Sequence, residues 1–86
     1  MTNEQRLQLM RERLEANLSP SHLEIIDDSA QHRGHAPAES GAGYYTLIIG
    51  SEQFQGKPSI ACHRLIYTAL GNLMDHEIHA LRIQLT

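Results

Sequence analysis

The chain has 86 residues, 41% of them hydrophobic and 20% charged, which is enough for one small globular domain over residues 1–86 and not for two. Seven Lys and Arg against ten Asp and Glu leave a formal charge of −3, which argues against sequence-blind binding to a phosphate backbone. A single cysteine, Cys62, excludes an internal disulfide framework and a four-cysteine zinc site. The apolar runs are too short for a membrane span, and the polar opening Met1–Arg6 lacks the apolar stretch of a signal or transit peptide. The expectation is a cytoplasmic protein with no membrane contact. Histidine is the outlier, with six residues able to ligate metal or titrate near neutrality.

Thr2 and Gln5 fit a capping box, and Leu7, Met10, Leu14 and Leu18 recur as the apolar stripe of a helix of about four turns that Ser19-Pro20-Ser21 stops. Arg6, Arg11, Glu12 and Glu15 are expected on its solvated face. Leu23–Asp28 reads as a strand. Ser29–Gly43 is a Gly-, Ala-, Pro- and Ser-rich loop carrying His32 and His35, and loops of that length tend to be functional or mobile. Tyr44–Gly50 reads as a second strand, antiparallel to the first. Phe54-Gln55-Gly56-Lys57 is a turn, after which Cys62, Ile66, Ala69, Leu70 and Leu73 line one helix face beside His63, Arg64 and Tyr67. Gly71-Asn72 predicts a break and a short further turn. Glu77–Leu85 alternates as a last strand, with His79, Leu81, Ile83 and Leu85 on one face and Ile78, Ala80, Arg82 and Gln84 on the other. The order is α-β-β-α-(α)-β, packed most simply as an α/β (α+β) three-stranded mixed sheet with its helices on one face.

Four segments carry a resemblance: Asp27-Asp28-Ser29 with His32-Arg33-Gly34-His35-Ala36, Phe54-Gln55-Gly56-Lys57, His63-Arg64-Leu65-Ile66-Tyr67, and Ile78-His79-Ala80-Leu81. In this order and spacing the chain resembles the BolA family from about residue 4 onward. The resemblance implies an αββ(α)αβ fold similar to a type II KH domain. It implies a non-catalytic partner of monothiol (CGFS) glutaredoxins that acts in iron–sulfur cluster assembly and trafficking or in iron and stress sensing. It implies a monomer that binds no cofactor alone and, as a heterodimer, shares a bridged 2Fe–2S cluster with glutaredoxin and glutathione. The family's ligands fall on His79 and on one histidine of the first inter-strand loop, for which His32 and His35 compete. Lys57, His63, Arg64 and Tyr67 fall on the partner or nucleic-acid surface. The chain departs from the family pattern at Cys62, where the family usually has Arg, and at Gly71-Asn72, where it favours helix formers.

Imidazole in place of thiolate on one iron raises a 2Fe–2S potential, so histidine ligation is chemically sound. His32 and His35 otherwise read as solvent histidines, and Gly34 and Pro37 argue against their sharing a helix face. His79 otherwise reads as a histidine covering the face that Leu81, Ile83 and Leu85 bury. His22 and His76 read as surface residues. Cys62 and His63, adjacent on a helix, point about 100° apart and make no catalytic pair. No nucleophile elbow or phosphate loop occurs, and the chain reads as no enzyme. The rival reading is a DNA-binding regulator of stress response and cell morphology. The sequence lacks the Gly-x-x-Gly loop by which KH domains hold single strands.

Overall fold

The computed structural model describes residues 2–28 and 43–86. Helix α1 spans Asn3–Leu18. Its capping box is formed: Gln5 N–H donates to Thr2 Oγ1 at 3.1 Å and Thr2 N–H to Gln5 Oε1 at 2.9 Å. Each bond satisfies a backbone donor that the first turn leaves without an intrahelical acceptor. Ser19 ends the helix in the left-handed region at φ 44°, and the Ser51 hydroxyl donates to the Leu18 carbonyl at 2.6 Å. Met10, Leu14 and Leu18 are buried as the stripe predicts. Arg6 departs from expectation. It belongs to the buried face rather than the solvated one, because Glu77 and Tyr45 supply its partners.

Strands β1 (His22–Asp27), β2 (Gly43–Gly50) and β3 (Ile78–Leu85) form one sheet in the order β1-β2-β3. The β1–β2 pair is antiparallel and the β2–β3 pair parallel. Across the ladder Ile25 faces Leu47 and Leu47 faces Ile83, while Leu23 faces Ile49 and Ile49 faces Leu85. Registered neighbours share a face, so these residues with Tyr45 form the surface on which the helices pack. Helix α2 (Ser59–Leu70) buries Cys62, Ile66, Ala69 and Leu70. The short helix α3 (Leu73–His76) buries Leu73. The α1 and α2 stripes meet on the same face of β2 in one cluster with Tyr45, Leu47 and Ile49. The expected break falls at Gly71, which ends α2 at φ 58°. Arg13 Nη1 crosses from α1 to donate to Leu70 O and Asn72 Oδ1, both at 2.7 Å, satisfying a carbonyl at the helix end.

The strict alternation expected for β3 fails at its start. Gly43 pairs with Ile78 and Tyr44 with Ala80, so the register skips His79. This β-bulge resets the phase: Ile78 joins the buried cluster, and His79 stays exposed instead of sharing the Leu81 face.

Candidate functional site

His79 is the skipped residue of the bulge, and its exposed ring lies against Tyr44 with centroids 5.0 Å apart and planes at 64°. That edge-to-face arrangement is a favoured one for aromatic pairs. Tyr44 follows the point at which the chain re-enters the sheet after residue 42. At the other root of that segment, Asp28 N–H donates to Tyr44 O at 2.8 Å, and its carboxylate accepts from the Thr46 hydroxyl. His79 thus stands at the mouth from which the segment carrying His32 and His35 departs. Both of those histidines, and the expected mobility of their loop, lie outside the described residues.

Behind the site runs a polar cluster that ties α1, β1 and β2 to the junction between α3 and β3. Arg6 Nε and Nη2 donate to Glu77 Oε1 at 3.2 and 3.1 Å, and Nη1 donates to the Tyr45 hydroxyl at 3.0 Å. Tyr45 in turn donates to Asn3 Oδ1 at 2.6 Å, and Asn3 Nδ2 donates to Asp27 Oδ2 at 2.8 Å. Burial pushes the Tyr45 hydroxyl above its ordinary pKa, against the lowering influence of Arg6. Burial disfavours the Arg6 charge, but the bonds to Tyr45 and Glu77 outweigh it and the guanidinium pKa is raised. Arg6 is therefore a fixed cation bonded to Glu77, two residues before His79.

Lys57, Arg64 and Tyr67 are exposed, and His63 is half-buried. Ile60, Arg64 and Tyr67 fall at i, i+4 and i+7 on α2, with His63 at i+3 beside them, so they share one face. Ile60 is 61% exposed and Tyr67 41%, large apolar surface for a helix of a small domain. Because β2 and β3 are parallel, α2 and α3 must carry the chain back toward the start of β3. The stripe therefore progresses from Lys57 toward the His79 end. Ile60 escapes the sequence reading because an isolated apolar residue outside the buried stripe has no motif to mark it. Its i+4 spacing to Arg64 was the available signal.

Cys62 is 1% exposed, with Sγ 3.7 Å from Phe54 O and 3.9 Å from Lys57 O. It packs as a small core residue. His22 forms a surface pair with Glu24 at 3.2 Å, and His76 ends α3, also exposed. Among the described residues, no three of His, Cys, Asp and Glu converge as a metal site. A 2Fe–2S cluster takes four protein or thiol donors. The described residues therefore fit it only in part, with His79 as an accessible imidazole on a strand, and no helix among them is long and apolar enough to cross a membrane.

The family model for BolA-like protein matches residues 14–86. The chain is 43% identical over 79 residues to "SufE-like protein 1, chloroplastic/mitochondrial" of Arabidopsis thaliana, covering 86% of this chain and 21% of that protein. It is 32% identical over 72 residues to "DNA-binding transcriptional regulator BolA" of Escherichia coli, covering 84% of this chain and 66% of that one. It spans less than two thirds of either relative. The solved BolA domain of SufE1 from Arabidopsis thaliana superposes with a TM-score of 0.80 at 36% identity, covering 100% of this chain and 94% of that one. The strand order, the helices on one face and the matched sequence agree, and the chain belongs to the BolA-like family.

Proposed function

We propose that this chain is a non-catalytic partner of a monothiol glutaredoxin in the cytoplasm, where it co-ligates a 2Fe–2S cluster bridged between the two proteins. The observation that supports it most directly is His79, an exposed imidazole at a bulge beside the root of a histidine-bearing loop. His79 supplies one nitrogen donor and His32 or His35 the second, while the glutaredoxin cysteine and glutathione supply two thiolates. Two imidazoles are half of the four donors required, so the chain alone, a monomer, holds no stable cluster. The Ile60–Arg64–Tyr67 face, with Lys57 and His63, is the surface offered to the partner.

The test is anaerobic reconstitution with a monothiol glutaredoxin, iron, sulfide and glutathione, read by visible absorption and circular dichroism. The heterodimer is expected to give a spectrum distinct from that of the glutaredoxin homodimer. His79→Ala abolishes the difference. Each loop change alone is milder if His32 and His35 can replace each other, and only His32→Ala with His35→Ala together then matches His79→Ala. Association that ignores iron, sulfide and glutathione defeats the reading. The name of the Escherichia coli relative and the exposed Lys57, Arg64 and Tyr67 favour a second reading as a DNA-binding regulator. In that case a Lys57→Ala, Arg64→Ala pair weakens a DNA mobility shift and His79→Ala leaves it unchanged.

A further inference from the structure

We infer that the Arg6–Glu77 ion pair is the positioning device for His79, through which the first turn of α1 governs the site without supplying a ligand. The inference rests on the proposed ligand role of His79. Glu77 is gripped in three ways. Its carboxylate takes two bonds from Arg6, its N–H donates to Leu73 O at 3.0 Å, and its carbonyl accepts from Gly43 N–H at 3.1 Å. The bulge follows at once, since Ile78 pairs with Gly43 and Ala80 with Tyr44.

A bulged residue has no ladder partner to hold its backbone, so what fixes His79 is the anchorage on either side. On the C-terminal side the parallel ladder resumes at Ala80. On the N-terminal side the anchor is Glu77. Arg6 itself is held by Tyr45, whose hydroxyl bonds Asn3, and Asn3 reaches Asp27 at the end of β1. The guanidinium thus joins the origin of β3 to the two strand ends that frame residues 29–42. A fork of several donors suits this role, because a lysine could not hold Glu77 and Tyr45 in one fixed geometry. Outer partners of this kind orient ligands, and their loss typically weakens metal affinity about 10–100-fold.

The experiment compares wild type, Arg6→Met, Arg6→Lys and Glu77→Gln, with Ile49→Val as a core variant that lowers stability away from the site. In the free protein, NMR reads the cross-ring contacts between Tyr44 and His79. Arg6→Met is expected to lose them and to weaken the glutaredoxin-bridged cluster about 10–100-fold. Arg6→Lys recovers part of both, and Ile49→Val changes neither. Glu77→Gln keeps an acceptor for Arg6 and gives a partial loss, which decides the matter should Arg6→Met not fold. Unchanged cross-ring contacts in Arg6→Met and Glu77→Gln, or equal loss in Ile49→Val, overturn the inference. A wild type that forms no bridged cluster defeats the functional reading instead, and the ring contacts of the free protein still decide the positioning.

Discussion

Cys62 shows how burial separates two roles for one atom. Nucleophiles and metal ligands need a thiolate, which forms at exposed, electropositive positions. This thiol is 1% exposed and faces the carbonyls of Phe54 and Lys57. Cys62→Ser is therefore expected to leave the bridged-cluster spectrum unchanged while lowering the thermal midpoint slightly, because the smaller hydroxyl packs less well. A lost spectrum would make the thiol a ligand and transfer to it the role proposed for the loop histidines. His79 presents the opposite case, with its ring exposed and an aromatic edge against it.

The junction of β2 and β3 depends on a close approach that only glycine permits. A Cβ on Gly43 would overlap the ring of Tyr45, which is 2% exposed and hydrogen-bonded to Arg6 and Asn3. That ring cannot step aside without breaking the cluster behind the site. Gly43→Ala is expected to cost about 1–3 kcal/mol, the usual range for overpacking, measured by urea unfolding and accompanied by a changed tyrosine near-UV signal. Element order, the capping box, the break at Gly71 and the α1 and α2 stripes were legible in the sequence, because each depends on local pattern or cap chemistry. The bulge was not. A skipped residue leaves the composition of Ile78–Leu85 unaltered and is set by what Gly43 and Glu77 bond. The burial of Arg6 was not legible for the same reason: Tyr45 and Glu77, which hold it there, lie 39 and 71 residues away.

The polar cluster gives the whole molecule an alkaline limit. Both Tyr45 and Arg6 have raised pKa values, so the fold favours their protonated forms. Their contribution is complete below the ordinary tyrosine value of 10.0 and is lost as pH rises through the folded-state values. The urea midpoint is expected to fall above about pH 10. In Tyr45→Phe that fall is shallower, although the midpoint at neutral pH is lower, since Arg6 and Asn3 lose a partner. An equal alkaline slope in the two proteins would place the limit elsewhere. The separation of 71 positions between Arg6 and Glu77 also imposes an order in time. At about 5–20 residues per second of synthesis, α1 waits roughly 4–14 s for the carboxylate that completes its first turn's contacts. The parallel pairing of β2 with β3 comes later still, after α2 has folded back across the sheet. A chain that ends before β3 therefore lacks His79 itself and leaves the β2 edge, which β3 covers in the finished sheet, without its parallel partner.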